Sequence, residues 1–131
     1  EGYYKQIIIE AYQHDYVSPE IEELTGWTQK KLTRQGEPLD KVLDRLVSKY
    51  GAKNRLCVVD CADEFGLFDS KNPFGKNTIN ISDLYRIYTH RFEGTGLKPM
   101  CDTLGVEFKG PQHRANWDSL AIGECFLKLV K

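Results

Sequence analysis

An apolar run followed closely by acidic residues is the feature that most limits how this chain can fold. Residues 56–59 (LCVV) carry no charged or hydroxyl side chain, so both faces of this segment are apolar. A strand with two apolar faces is typical of a sheet covered by helices on both sides, as in α/β proteins. Asp60, Asp63 and Glu64 would then follow the carboxyl end of a buried strand. In open α/β sheets, that end is where ligands and metals bind.

The remaining sequence predicts several helices and a short sheet. Residues 3–11 are rich in β-branched and aromatic side chains, which favours another strand. Ser18 and Thr28 are expected to cap two short helices, and Gly26 to end the first. Apolar residues recur at helical spacing in four further segments, which are 39–50, 79–92, 97–104 and 116–131, with Ser82 and Asn116 as candidate caps. We therefore expect one α/β domain over residues 1–131.

Charge and the length of the apolar runs exclude several classes of protein. Lys and Arg number 18 against 19 Asp and Glu, a net charge of −1, whereas coat proteins of nucleic acids and polybasic membrane binders need a large positive excess. The longest apolar runs, such as residues 7–9, are too short to span a bilayer. The chain begins at Glu1 and not at a methionine, so its start looks like a cut. No secretory signal is visible, and we expect an intracellular protein without a membrane partner.

The four cysteines leave two interpretations open. They are too few and too scattered for a disulfide scaffold, so buried reduced thiols in a reducing compartment are the simpler one. The other is a zinc site formed by Cys57, Cys61, Cys101 and a histidine, although no CxxC or HxxxH pair supports it.

His113 and Asp118 form a second pattern with chemical potential. Asp118 follows His113 by five residues, in the first turn of the predicted last helix, so the imidazole and the carboxylate are expected on one rim. Carboxylates from separate elements suit Mg²⁺ or Mn²⁺, and a neighbouring histidine suits a general base that activates water. The alternative is a surface histidine beside an aspartate that stabilises the N-terminus of a helix.

Several segments together resemble one family of nucleases. Residues 24–29 (LTGWTQ) look like an LTGI-T-Q segment, residues 39–43 (LDKVL) like the helix before a second acidic motif, and residues 79–85 (INISDLY) like a W-I-N-I segment. Residues 96–110 (GLKPMCDTLGVEFKG), followed by His113 and Asp118, are similar to an L-x(5)-LG-x(4)-G-x-x-H-x(4)-D ending, the most specific of these stretches. The chain thus resembles the DEDDh family of 3′–5′ exonucleases, in the branch of the histone-mRNA and small-RNA 3′-end exonucleases.

The resemblance implies a ribonuclease H-like exonuclease fold, a mixed sheet flanked by helices, and metal-dependent 3′–5′ hydrolysis of RNA or single-stranded DNA. It makes His113 the base that deprotonates the attacking water and Asp118 the last metal-binding aspartate. Asp63 best fits the second acidic motif, because residues 67–68 (LF) follow it in the family's register. The alternatives for that position are Asp60 and Glu64. Two ions, Mg²⁺ or Mn²⁺, would hold the phosphodiester for in-line attack, which releases a nucleoside monophosphate.

Contacts to the substrate are also implied by the resemblance. Thr25 and Gly26 belong to the LTG segment, and Arg114 is adjacent to His113, so these three are the expected substrate-binding residues. Basic residues that could line a groove are Lys30, Lys31, Arg34, Lys109 and Arg114. Trp27 and Trp117 either stack on a base or pack against helices.

The family's first motif, an Asp-x-Glu on the first strand, is absent from this sequence. Only 23 residues precede Leu24, and Glu10 and Asp15 follow what resembles the third strand of the family. The absent strand is central in the family sheet, and each backbone group that it leaves unpaired costs about 1–3 kcal/mol. We therefore expect the absent strands to come from a second chain or from a segment outside this sequence, or else a rebuilt topology. An inactive relative that binds RNA or protein, and an unrelated α/β structural protein, are the alternatives.

Overall fold

A computed structural model describes residues 17–60 and 72–131 of the chain. The strand expected over residues 3–11 lies outside the described residues, as do Cys61 and the candidate ligands Asp63 and Glu64.

The described residues are mostly helical, with a small parallel sheet, and belong to the α/β class only in a broad sense. The elements in chain order are α1 (Pro19–Thr25), α2 (Gln29–Gln35), α3 (Leu39–Ser48), a short 3-10 helix (Ala52–Asn54), β1 (Cys57–Val59), β2 (Thr78–Asn80), α4 (Ile81–Thr89), α5 (Leu97–Leu104) and α6 (Ala115–Leu129). Within residues 17–60 and 72–131, no helix has both the length and the apolar composition needed to cross a membrane.

Local signals set the ends of the first two helices as expected. The hydroxyl of Ser18 accepts a hydrogen bond from the Ile21 amide at 3.3 Å, and Thr28 caps α2 in the same way. Gly26 ends α1 with a φ of 74°, a left-handed conformation that costs glycine little. These three predictions are confirmed.

The sheet contains one expected strand and one unexpected strand. β1 runs parallel to β2, with Val58 opposite Ile79. The helical spacing from residue 79 predicts a helix there, but the helix begins only at Ile81 because the side chain of Asn80 accepts a hydrogen bond from the Ser82 amide at 3.1 Å. The prediction that Ser82 caps this helix is therefore wrong.

The last helix also begins differently from expectation. Arg114 occupies the N-cap position of α6 without a side-chain cap, and its carbonyl accepts hydrogen bonds from the amides of Trp117 and Asp118 at 2.8 and 3.0 Å. Asn116, the expected cap, lies inside the helix. The capping prediction is wrong because the turn before the helix carries the chain into helical conformation two residues earlier.

The core lies between the last three helices, and it fixes where α6 sits. α6 packs against α4, α5 and β1. The buried residues of this core are Ile81, Tyr85, Met100, Cys101, Val106, Ala121, Ile122 and Cys125. β1 adds Val58, which packs against this cluster, and Val59, which is buried, whereas Leu56 just before it remains exposed. The N-terminus of α6 is therefore held beside the end of β1.

Candidate functional site

Three of the predicted site residues line one cleft of about 420 Å³, which we call the carboxylate cleft. Asp60 directly follows β1, His113 lies in the turn before α6, and Asp118 is in the first turn of α6. The other residues that line it are Gly96, Leu97, Lys98, Pro99, Phe108, Gln112 and Ile122. The structure thus brings Asp60, one of the two alternatives to Asp63, beside the predicted base and the last predicted metal ligand.

The hydroxyl of Ser82 orients Asp60, and the parallel pairing of β1 with β2 brings the two residues together. β2 ends beside the end of β1 and leads directly into α4. The Oγ of Ser82, near the start of α4, lies 2.9 Å from Oδ1 of Asp60 and 3.1 Å from its carbonyl oxygen. A hydroxyl donates one proton at a time, so these two oxygens share it. Ser82 therefore restricts the direction in which the Asp60 carboxylate points.

The carboxylate cleft disfavours negative charge on Asp118. Burial raises the pKa of Asp118 above its usual value, and the charge of Asp60 raises it further, whereas the backbone amide and the imidazole of His113 lower it. Both carboxylates line the same cleft. A cation in that space would relieve their repulsion.

His113 stands at the rim of this cleft in an uncommon backbone conformation. Its φ is 62°, in the left-handed region that few residues other than glycine adopt, and its side chain is exposed. The conformation turns the chain sharply before α6. It allows His113 to line the carboxylate cleft while its neighbour Arg114 lines a different one.

The two carboxylates fit one kind of metal better than others. Within the described parts of the chain, no three His, Cys, Asp or Glu side chains are grouped closely enough to hold a metal ion. Mg²⁺, however, keeps several waters and is often bound by one or two protein carboxylates together with substrate phosphates. Asp60 and Asp118 suit that mode.

Two of the three cysteines that the structure describes, Cys101 and Cys125, lie against each other in the core. The Sγ atoms of Cys101 and Cys125 lie 3.5 Å apart, both residues are fully buried, and both thiols are free. Burial raises the pKa of Cys101, and burial together with the hydrogen bond between the two thiols raises the pKa of Cys125 to about 12. Cys101, one of the candidate zinc ligands, thus lies in the core with its thiol against that of Cys125.

A second cleft, of about 300 Å³, lies on the other side of the start of α6, and we call it the tryptophan cleft. Its lining residues are Gly26, Trp27, Lys31, Gln35, Arg114, Asn116 and Trp117. The guanidinium of Arg114 lies so close to Gly26 that a Cβ there would overlap it. Two predicted substrate-binding residues, Gly26 and Arg114, therefore meet in this cleft, with both tryptophans that the sequence left between stacking and packing.

Thr25, the third predicted substrate-binding residue, lines neither cleft. Its hydroxyl donates to the carbonyl of Ile21 at 2.6 Å and accepts from the Trp27 amide at 3.2 Å. In the structure Thr25 thus stabilises the turn that presents Gly26 and Trp27.

The sequence does not indicate the roles of two residues at the carboxylate cleft. Ser82 is predicted as a helix cap, and only the strand register shows that its hydroxyl meets Asp60. Lys98, in the first turn of α5, lines the carboxylate cleft and forms an ion pair with Asp102. A lysine and an aspartate four residues apart on a helix are a common surface pair, so nothing in that pattern points to a cleft.

Compared with known proteins, the chain matches no protein-family model and no curated protein. The clefts themselves therefore carry the functional argument.

Proposed function

We propose that this chain is a metal-dependent 3′–5′ exonuclease of ribonuclease H-like fold that removes nucleoside monophosphates from the 3′ ends of RNA or single-stranded DNA. One observation carries the proposal: Asp60, His113 and Asp118 line a single cleft although they come from a strand end, a turn and a helix. A histidine and paired carboxylates are the groups that metal-assisted phosphodiester hydrolysis uses. Their order along the chain is that of the family that the sequence resembles.

Each side chain has a distinct role in this proposal. Asp60 and Asp118 would hold Mg²⁺ or Mn²⁺, with Asp63 as a further candidate ligand. When bound, the ion supplies the positive charge that a phosphodiester under attack requires. His113 accepts the proton of the attacking water. The water oxygen bonds to phosphorus, the bond from phosphorus to the 3′ oxygen of the preceding nucleotide breaks, and solvent supplies the proton that this oxygen takes up.

The proposal also requires more sheet than the described residues contain. Within residues 17–60 and 72–131, β1 pairs with β2 alone, although Val59 is buried. A two-stranded sheet is rarely stable without further strands or helices packed on it. We propose that the additional strands, with the first acidic motif, come from a second chain or from a segment outside this sequence.

A second candidate function is supported by the number of carboxylates. In the described part of the chain, Asp60 and Asp118 are the acidic residues that line the carboxylate cleft. If no further acid joins them, the same fold would serve as an inactive module that binds RNA or protein. Catalysis separates the two candidates.

The test uses single-stranded RNA and DNA labelled at the 5′ end, incubated with Mn²⁺ and the complete protein, including the chain or segment that supplies the additional strands. We expect shortening one nucleotide at a time from the 3′ end. Replacing His113 with Ala removes the base, so the rate falls by about 10²–10⁴-fold.

His90→Ala is the matched control, because His90 is also exposed and also has a positive φ, of 54°, but lies at the end of α4. Its rate should equal that of the unmodified protein. Equal rates for His113→Ala and His90→Ala would contradict the assignment of the base, and no shortening at all would favour the inactive module.

A further inference from the structure

The tryptophan cleft combines aromatic rings with positive charge, and none of its lining residues in the described parts of the chain is acidic. Trp27 and Trp117 are both partly exposed, and Trp117 lies against Gly110, where a Cβ would come within 2.6 Å of the indole. Gly110 thus leaves room for the Trp117 ring. Lys31 and Arg114 supply the charge.

The polar atoms of these two cations have capacity left for a ligand. Among the residues that the structure describes, neither Lys31 nor Arg114 forms an ion pair. The Nζ of Lys31 donates to the carbonyl of Gly26 at 3.1 Å, which leaves two of its three donors. The Nε of Arg114 is buried and has no hydrogen-bond partner in the described structure. A ligand is therefore supported by the absence of an ion pair at both cations within the described residues and by the two remaining donors of Lys31.

We propose that the tryptophan cleft binds one nucleotide of a single strand of nucleic acid, with Lys31 and Arg114 on a backbone phosphate and a tryptophan indole on the base. The choice of this ligand class rests on the proposed function. A cleft with two indoles and two cations matches a ligand that has both a flat base and a phosphate, because stacking and phosphate contacts together hold single strands. Inorganic phosphate alone has no ring that could stack on an indole.

The two clefts are adjacent along the chain, which supports a continuous path for the strand. Arg114 follows His113 directly, and Trp117 directly precedes Asp118. Consecutive helical residues point about 100° apart, so Trp117 and Asp118 face different sides of α6. A strand that crosses the N-terminus of α6 would place one nucleotide in the tryptophan cleft and a neighbouring phosphodiester in the carboxylate cleft.

The intrinsic fluorescence of the protein reports on this site. The chain has two tryptophans, and both line the tryptophan cleft. We would titrate the protein with an unlabelled single-stranded DNA of about eight nucleotides in EDTA, so that neither metal nor hydrolysis contributes. We expect saturable quenching. An abasic strand of the same length carries the phosphates without bases and should bind about tenfold more weakly and quench less.

The variant Lys31→Gln tests the cationic half, with Lys30→Gln as its matched control. The sequence makes both lysines candidates for a groove and both are exposed on α2, but of the two only Lys31 lines the tryptophan cleft, so Lys30 lies outside the proposed site. Lys31→Gln should weaken binding several-fold and reduce the slope of log Kd against log salt by about 1, whereas Lys30→Gln should change the affinity little. Arg114→Gln should weaken binding further. No quenching, equal effects of the two lysine variants, or equal quenching by the abasic strand would overturn the proposal.

Failure of this site and failure of the proposed function give different results. Binding in EDTA that depends on Lys31, without hydrolysis in Mn²⁺, overturns the exonuclease assignment and supports the nucleotide site. Hydrolysis that proceeds while Lys31→Gln and Lys30→Gln bind equally overturns the nucleotide site.

Discussion

The carboxylate cleft and the tryptophan cleft flank the same helix start but have opposite character. The carboxylate cleft contains two aspartates whose charges repel, and the pKa of Asp118 is raised there by burial and by Asp60. Among residues 17–60 and 72–131, the tryptophan cleft is lined by Lys31, Arg114 and both tryptophans, and by no acid. One site therefore favours a cation, and the other favours an anion with a flat ring.

The contrast shows how a short segment serves two sites. Within residues 113–118, His113 and Asp118 line the carboxylate cleft, whereas Arg114 and Trp117 line the tryptophan cleft. The positive φ of His113 and the helical rotation of successive residues separate them. Arg114 and Asp118, which carry opposite charges, therefore line different clefts.

Asp118→Asn is expected to have the largest effect on one cleft without affecting the other, because it removes a charge from the carboxylate cleft only. Hydrolysis in Mn²⁺ should fall by at least about 100-fold, because even partners of metal ligands are worth 10–100-fold. Binding of single-stranded DNA in EDTA should not weaken, since Trp117 and Arg114 remain. Gel analysis of 5′-labelled strands measures the first quantity, and tryptophan quenching the second.

Asp83→Asn is the control, because Asp83 also lies in the first turn of a helix but is exposed and pairs with Arg86. A loss of DNA binding by Asp118→Asn equal to its loss of hydrolysis would mean that the two clefts act as one site.

The same substitution should change how stability depends on pH in metal-free buffer. A carboxyl whose pKa is higher in the folded state than the usual 3.8 binds its proton more tightly when folded. The free energy of unfolding therefore falls as the pH rises from about 3.8 through the raised pKa of Asp118, and that part of the loss should vanish in Asp118→Asn. Thermal melts in EDTA from pH 3.5 to pH 7 measure this. An unchanged pH profile would show that Asp118 is not perturbed.

A smaller effect is expected from Ser82→Ala, which frees the carboxylate of Asp60 without removing it. Hydrolysis should fall by about tenfold, as for other groups that orient a metal ligand, and the free energy of unfolding by about 1 kcal/mol. Ser119→Ala is the control, because the Ser119 hydroxyl only donates to the carbonyl of Ala115 within α6. Equal hydrolysis rates for the two variants would show that Asp60 needs no anchor or is not a ligand.

Most features of the fold that depend on neighbours in sequence can be predicted, the caps of α4 and α6 being exceptions, whereas features that depend on distant pairing cannot. Gly105 ends α5 with a φ of 65° at the position that the sequence indicates. β2 is not predicted because the predicted helix extends the helical spacing from Ile81 onward back to Ile79, and only pairing with β1 makes residues 78–80 extended. A three-residue strand is too short for its own alternation to compete with that pattern.

The candidate site divides in the same way. The sequence predicts that His113 and Asp118 lie on one rim, because only a short loop and the first turn of α6 separate them, and both line the carboxylate cleft. The contact between Ser82 and Asp60 spans 22 residues and follows from the strand register, and the meeting of Arg114 with Gly26 follows from the packing of α6. Sequence reasoning preferred Asp63, outside the described residues, over Asp60, and that preference stays a prediction.

The smallest effect is expected from Gly26→Ala, which changes the affinity of the tryptophan cleft for single-stranded DNA. Gly26→Ala places a methyl group where the guanidinium of Arg114 now lies, and because that group ends a flexible side chain, Arg114 should move aside. Binding of single-stranded DNA in EDTA should weaken a few-fold, less than in Arg114→Gln. Gly51→Ala is the matched control, because Gly51 has a φ of 64° but open space where a Cβ would lie. Both variants should lose about 1–2 kcal/mol of stability from left-handed strain. Only Gly26→Ala should lose affinity for single-stranded DNA. Equal affinity in the two variants would mean that the position of Arg114 against Gly26 does not matter for the nucleotide, and the charge of Arg114 would then act at longer range.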